Sequence, residues 1–479
     1  MTISRSKPEP SRSKAEPSRS KAEPPITPSR PLPLLLACGG SFLAFLDVTI
    51  TNLAVPALAV DFGGVDLTSL SWVVTLYTIL FAALLAPAGR MADVLGRRRL
   101  FAVGVAVFTV ASLLAAFAPT YGLLLVARAA QAVGAAALMP ASLAFVLADT
   151  PVTRRASAIG LWSAAASIAA ALGPALGGVL VDAFGWRSLF FVNVPAGVVL
   201  WLLALRMPAV ATARKRLPDV VGTMLLAGGV ALLILGVTQG QSWGWTWTPA
   251  CLLGAVAAVA VSLVRSSRHA EPAVQITLWR TPAFAGANVV SVLFGVALYA
   301  TLLLGVLFLT EVWHYSELRA GLAMTPGAVA SAVVGLVVGR IARRPSPRTL
   351  TVIGALALAA TSGALALWLP AEPNFLGVWL PAGLISGAGM GAVSVGVSSA
   401  AALSVPPPSF AAGTGLNIAA RQVGGALGVA VLVALFAGHT PADGVSDFTH
   451  VYLVCAVAAL AAAAVGTRLT LVTSSGTGS

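Results

Sequence analysis

Charge is scarce in this chain of 479 residues. Only 9% are Asp, Glu, Lys or Arg, and 16 acids face 29 bases, of which four are Lys. A water-soluble globule of this size needs more polar surface to cover itself. With 58% hydrophobic residues and a mean hydropathy of +0.92, the composition argues against a soluble fold. Cysteine is equally sparse: Cys38, Cys251 and Cys455 stand singly in apolar stretches, which fits neither a disulfide framework nor a metal site. None of the four His sits in the middle of an apolar run, so a histidine proton relay has no members. The chain lacks a GxxxxGK[ST] loop and a soluble nucleotide domain, which speaks against an ATP-driven pump. Nor is there a constellation for covalent catalysis, so no enzyme and no cofactor are expected. No cleavable leader is expected either, because the first 30 residues are polar and the apolar segment after them has full spanning length. That segment is expected to stay as its own insertion signal.

What fills the chain is apolar sequence, in runs recurring from Pro31 to about Leu471. Many exceed the roughly 18 residues that cross a ~30 Å hydrocarbon core. The expectation is an all-α polytopic membrane protein with the bilayer as its solvent. Spanning helices are read at 33–58, 71–89, 100–118, 121–147, 156–181, 188–206, 219–238, 249–265, 284–309, 318–340, 349–369, 375–402, 414–437 and 449–471, fourteen in all. With the N-terminus in the cytoplasm, 25 of the 29 bases fall in cytoplasmic segments; Arg187 and Arg319 fall outside, Arg128 and Arg421 within helices. The positive-inside rule selects this orientation in a cell membrane and, with an even helix count, returns the C-terminus to the cytoplasm. Topology therefore accounts for the net charge of +13, and no nucleic-acid partner is expected.

Residues 4 to 24 are three tandem heptads, SRSKPEP, SRSKAEP and SRSKAEP, with no apolar seam and a Pro closing each unit. A disordered, solvated cytoplasmic tail over 1–32 is expected, with contact to anionic headgroups as the alternative. Further on the chain resembles itself. GLWSAAASIAAALG from Gly160 aligns without gaps on GLNIAARQVGGALG from Gly415, and GRMADVLGRRRL from Gly89 more loosely on GRIARRPSPRTL from Gly339. These matches equate helix five with helix thirteen and the loop after helix two with the loop after helix ten. They divide the chain into a six-helix unit at 33–206, a two-helix insert with its loops at 207–283, a second six-helix unit at 284–471 and a short tail at 472–479.

Four segments, LDVTITNLAVP from Leu46, GRMADVLGRRR from Gly89, LVARAAQAVGAA from Leu125 and LGPALGG from Leu172, resemble signature motifs of the major facilitator superfamily, in particular its fourteen-helix drug:proton antiporter branch. The stretch FGWRSLFFVNVPAG at 184–197 looks like that branch as well. The resemblance covers nearly the whole chain after the tail. It implies the 6 + 2 + 6 major facilitator fold and export of small organic compounds in exchange for protons, by a monomer embedded in lipid.

Asp47 is the sharpest single feature. A carboxylate this far inside a membrane costs ~2.5–3.5 kcal/mol on insertion scales, so it must face a cavity, hold a partner or take a proton. It serves proton or substrate coupling, or alternatively accepts hydrogen bonds permanently from Thr49 or Thr51. A ~1.5 Å rise per residue puts Arg128 at a similar depth. An arginine stays charged, so its approach favours the ionised carboxylate and its withdrawal favours protonation; a static ion pair is the alternative. Gln131 follows in the same motif, where the family's usual next residue, Gly, is replaced by Ala132. The family implies that Gly89, Asp93, Gly96, Arg97 and Arg98 form a cytoplasmic gate, with Asp93 meeting helix thirteen near Gly413 to Gly415; in the second-half copy Arg343 takes the place of Asp93. Gly173, Pro174, Gly177 and Gly178 resemble the exporter motif, a kinked, closely packed helix five that seals the cavity against protons, with Ala169 where the family usually has Gly.

Asn52, Gln131, Asn417, Arg421 and Gln422 are the candidate cavity-lining polar residues, and Arg421, about 10 Å inside the cytoplasmic end by the same rise, either binds substrate or snorkels. Trp243, Trp245 and Trp247 read as interfacial anchors. Asp47, Arg128 and Arg421 sum to +1, which points to neutral, weakly acidic or amphiphilic substrates rather than dications. Competing readings are a proton-independent uniporter or importer, and a non-transporting scaffold or sensor docked through its tail.

Overall fold

Helix starts follow local chemistry. Thr120, Ser316 and Ser346 each turn a side-chain oxygen onto the backbone N–H three residues ahead, capping the helices that begin at Tyr121, Glu317 and Pro347. Prolines at 282 and 347 stand at first-turn positions, where the missing N–H costs nothing. The computed structural model describes residues 31–52, 54–207, 218–341, 345–436 and 446–469. The heptad repeats, Arg343, most of the loop after the sixth helix and the tail at 472–479 lie outside the described residues.

Among the described residues, fourteen helices are long and apolar enough to cross a membrane. They are α1 (Pro31–Thr51), α2 (Trp72–Leu95), α3 (Arg97–Ala116), α4 (Tyr121–Asp149), α5 (Arg155–Phe184), α6 (Arg187–Leu205), α7 (Val220–Thr238), α8 (Gly240–Arg268), α9 (Pro282–Glu311), α10 (Glu317–Arg340), α11 (Pro347–Trp368), α12 (Phe375–Leu403), α13 (Phe410–Phe436) and α14 (Ser446–Gly466). Their connections alternate between an end rich in Arg, called the basic end below, and an opposite end. Side chains such as Val110, Val126, Leu253 and Val457 stay exposed, as a lipid-facing surface requires.

Two boundaries depart from expectation for a clear reason. Instead of running to residue 58, α1 stops at Thr51, and a short helix, Ala54–Asp61, follows. Pro56 has no N–H to give and its ring crowds the Asn52 carbonyl four residues back, so the helix breaks there. At the other boundary, α13 begins at Phe410 rather than 414, after a 3₁₀ turn at Pro407–Ser409.

Neighbour relations repeat with a period of eight helices. In the first half α1 packs on α4, α5 and α6, α2 on α4, and α3 on α4 and α6. In the second half α9 packs on α12, α13 and α14, α10 on α12, and α11 on α12 and α14. The halves meet through two related seams, α2 against α13 and α10 against α5. The pair α7–α8 lies outside this scheme. It touches the rest chiefly through α7, which packs on both α2 and α13, while α8 is the least buried of the spans. Trp243 and Trp247 project, exposed, from the end of α8 opposite the basic end.

The short helix after α1 anchors the entry to α6. Asp61 accepts hydrogen bonds from the Trp186 indole (2.8 Å) and the Arg187 guanidinium (2.6 Å). These donors hold its carboxyl below the usual range, the indole contributing most.

Candidate transport site

The structure closes Asp47 inside a shell of donors. Its Oδ2 accepts from Arg128 Nη1 at 2.7 Å, and its Oδ1 from Asn193 Nδ2 at 2.8 Å and Gln131 Nε2 at 3.3 Å. Arg128 also donates to the Gln131 side-chain oxygen (3.0 Å) and to the Val73 carbonyl (2.9 Å). Gln131 bridges onward to Ser112 Oγ at 2.8 Å. The Arg128 guanidinium lies 4.2 Å from the Tyr77 ring centroid and 5.7 Å from that of Phe190. Asp47, Gln131, Asn193 and Ser112 are fully buried and Arg128 is 1% exposed. Pairing and hydrogen bonds offset the cost of charges buried this deep.

Five helices build the cluster: α1 brings Asp47, α2 Tyr77, α3 Ser112, α4 Arg128 and Gln131, and α6 Asn193. Thr49 and Thr51 play no part in holding the carboxylate, since their hydroxyls donate to main-chain carbonyls within α1, that of Thr51 to the carbonyl of Asp47 itself. Asn52 stands apart. It is exposed beyond the end of α1 and turns its amide back to the Val48 carbonyl, a consequence of the helix ending early.

A second polar centre lies between α9, α12 and α13. Asn417 donates to Ser291 Oγ at 2.7 Å, Gln422 accepts from the Tyr299 hydroxyl at 2.5 Å, and Arg421 reaches Ser394 Oγ at 3.4 Å. Because α13 starts at Phe410, Arg421 stands roughly 16 Å along the helix rather than ~10 Å.

At the basic end, Asp93 accepts from the backbone N–H groups of Ala411 (3.3 Å) and Ala412 (2.8 Å), the first turn of α13. A helix N-terminus favours an anion in this position. The contact falls slightly before the expected 413–415, again because the helix begins earlier. Arg97 joins Asp93 at 3.0 Å, the Ala144 carbonyl and the Pro407 carbonyl across the seam. Arg97 and Arg155 both face the Phe410 ring, at 5.6 and 4.9 Å. Gly89 and Gly415 let α2 and α13 touch: a Cβ on Gly89 would strike the Ala411 carbonyl, and one on Gly415 the Leu85 carbonyl. Gly96 takes φ 100°, open to glycine, between α2 and α3. Arg98 lies elsewhere. It binds the Ala204 and Leu205 carbonyls at the end of α6, entirely inside the first half. Arg90 ties α2 to the linker after α8, through Glu271 at 2.9 Å and the Pro272 carbonyl at 3.3 Å.

On α5 the glycines divide their work. A Cβ on Gly173 would collide with Thr49 of α1, Gly177 is buried, and Gly178 comes near Leu318 of α10. Pro174 sits within α5, which runs unbroken from Arg155 to Phe184, and the buried Ala169 precedes it by about a turn.

Sequence reasoning missed Asn193, Ser112, Tyr77, Tyr299, Ser394 and Phe410. For Asn193 a signal existed, an amide alone in the apolar run Phe190 to Pro195. The hydroxyls and rings blend into their helices.

A buried, hydrogen-bonded ion pair inside one of two repeated six-helix units, with a carboxylate of one unit bound to a helix N-terminus of the other, fits the architecture of a secondary transporter. The chain matches the Major Facilitator Superfamily over residues 37–429. It is 35% identical to the multidrug resistance protein Stp of Mycobacterium tuberculosis over 84% of this chain and 75% of that one. To the cephamycin export protein CmcT of Amycolatopsis lactamdurans it is 34% identical over 90% of each, and to the puromycin resistance protein of Streptomyces alboniger 36% over 87% and 83%. The human organic anion transporter MFSD10 superposes on 90% of this chain and 100% of its own with a TM-score of 0.64 at 15% identity, a likeness of fold. The chain belongs to the Major Facilitator Superfamily. It is a multi-pass membrane transporter with the fourteen-helix fold, a carrier of solutes and not an enzyme.

Proposed function

We propose that this transporter exports small amphiphilic organic compounds from the cytoplasm in exchange for protons, by alternating access of its two six-helix units. The observation that carries the reading is the Asp47 carboxylate, fully buried and held by Arg128 from a different helix. The named activities of the relatives, antibiotic export and resistance, support the outward direction. The excess of bases at one end supports a plasma-membrane orientation with that end and both termini in the cytoplasm. The protein acts as a monomer, each chain holding one complete site.

In this scheme the Asp93 latch closes the cytoplasmic side while the site exchanges with the exterior. A proton arriving at Asp47 removes the charge that holds Arg128, Asn193 and Gln131 in place. Arg128 keeps its contact with the rings of Tyr77 and Phe190, and the loosened first unit rocks against the second. With the cytoplasmic side open, substrate binds, the proton leaves and the ion pair reforms.

Proteoliposomes containing purified protein test the reading. Addition of relatives' antibiotics, puromycin and a cephamycin among them, is expected to move protons in the wild type, and Asp47→Asn is expected to abolish that movement. Proton movement that no compound elicits from the wild type rejects antiport. Full, pH-independent flux in Asp47→Asn makes the protein a proton-independent carrier.

A further inference from the structure

We infer that the second polar centre is a binding subsite for an anionic group, a carboxylate or its equivalent, on the transported compound. The inference rests on the export reading and specifies its substrate class.

Arg421 is 8% exposed and its guanidinium cannot lose its charge at physiological pH. Among the described residues no carboxylate lies within ion-pair distance of it, and its one hydrogen-bond partner is the neutral Ser394 hydroxyl, at 3.4 Å. The contrast with Arg128 is direct. That side chain has an acid at 2.7 Å, a carbonyl and an amide oxygen. Arg128 is thus provided for by the protein, and Arg421 is left with most of its five donors free.

Arg421 stands ~16 Å from the start of α13, a helix of 27 residues, and faces the interior between α9, α12 and α13. The nearest acid down the same seam, Asp93, binds Ala412, nine residues or ~14 Å further along the helix, and is already held by Arg97 and two backbone N–H groups. A buried cation without an acid partner among the described residues is the feature expected of a site whose counter-charge arrives with the ligand. Neutral polar groups of three helices border it: Ser394 of α12 accepts from it, and Tyr299 of α9 lies close enough to interact with its charge and donates to Gln422 of α13. Guanidinium and hydroxyl donors suit a carboxylate bound through two oxygens, and the apolar helix walls suit the lipophilic remainder.

The purified full chain in detergent provides the test, with 4-biphenylcarboxylate and 4-biphenylcarboxamide as the leading pair in a panel of aromatic carboxylates and matched amides. Wild-type protein is expected to prefer carboxylates by about tenfold in affinity, the size of one charge-assisted hydrogen bond. Arg421→Met is expected to raise the unfolding temperature without ligand, by removing an uncompensated charge, and to erase the preference. Arg421→Lys is expected to retain it and guards against a misfolded Met variant. Amides binding as well as carboxylates throughout the panel overturn the inference. So does a preference that survives in Arg421→Met. The antiport reading fails separately: carboxylate preference without substrate-driven proton movement rejects antiport alone, and proton movement driven equally by amides rejects the anion subsite alone.

Discussion

Asn193 shows how one neutral side chain helps hold a buried ion pair. Its amide donates to Asp47 at 2.8 Å. Replacing it with Ala removes a charge-assisted hydrogen bond of ~1.5–3 kcal/mol. Neighbouring groups compensate part of this, so substrate-driven proton movement in Asn193→Ala is expected to fall about tenfold, equivalent to ~1.4 kcal/mol. An unchanged rate would make Asn193 a packing residue and no more. The same comparison explains what was legible beforehand. Asp47, Arg128 and Arg421 stood out because ionised groups are rare and costly in apolar helices. Ser112, Tyr77 and Ser394 did not, since a hydroxyl in a membrane helix commonly bonds the carbonyl one turn back. Ser112 does so as well, to Phe108, while also serving Gln131.

The latch is a property of two helices in register. Asp93 meets the first turn of α13 only if α2 can lie directly on it, and that approach depends on glycine at 89 facing the Ala411 carbonyl. A valine there is expected to hold the basic end open without unfolding the chain. The measurement is maleimide labelling of a cysteine placed at Thr414, which is 3% exposed just inside the latch, with the native Cys38, Cys251 and Cys455 replaced. Labelling from the basic end is expected to accelerate by at least tenfold in Gly89→Val, equivalent to ~1.4 kcal/mol lost from the closed state. An unchanged rate would separate the glycine from gating. Sequence periodicity located all fourteen spans, because twenty apolar residues leave few alternatives, but it erred at helix ends. Pro406 to Pro408 read as a loop running to 414, whereas Pro407 opens a 3₁₀ turn that feeds α13 four residues sooner. That displacement puts Arg421 roughly 16 Å rather than ~10 Å along its helix. Arg98 misled for the opposite reason: three consecutive arginines look equivalent in a motif, and only the fold sends one across the seam and another to the end of α6.

The internal repeat makes the molecule two similar bodies joined along two seams, and leaves open which body carries α7 and α8. Packing alone is ambiguous. Ile234 of α7 joins Ile79 and Ala82 of α2 in one small apolar cluster, yet Ala426 of α13 borders it too. Polar contacts decide. The linker that follows α8 is tied to α2 by the Arg90–Glu271 ion pair, with Arg90 only 5% exposed, and by the Arg90 bond to the Pro272 carbonyl. Asp219, at the start of α7, bonds through its N–H to the Glu271 carbonyl and through its carboxylate to Arg265 of α8. The insert, its linker and α2 are thereby one polar-bonded unit, whereas α13 offers the insert apolar contact that can slide. If the halves rock during transport, α7 travels with α2 and changes its contact with α13. Paired cysteines distinguish the two interfaces. A cross-link between positions 79 and 234, joining α2 to α7, is expected to leave proton-coupled transport near the wild-type rate. One between 231 and 426, joining α7 to α13, is expected to stop it, with reversal on reduction. Transport surviving the second link and failing with the first would assign the insert to the second half and remove the Arg90 clip from the moving mechanism.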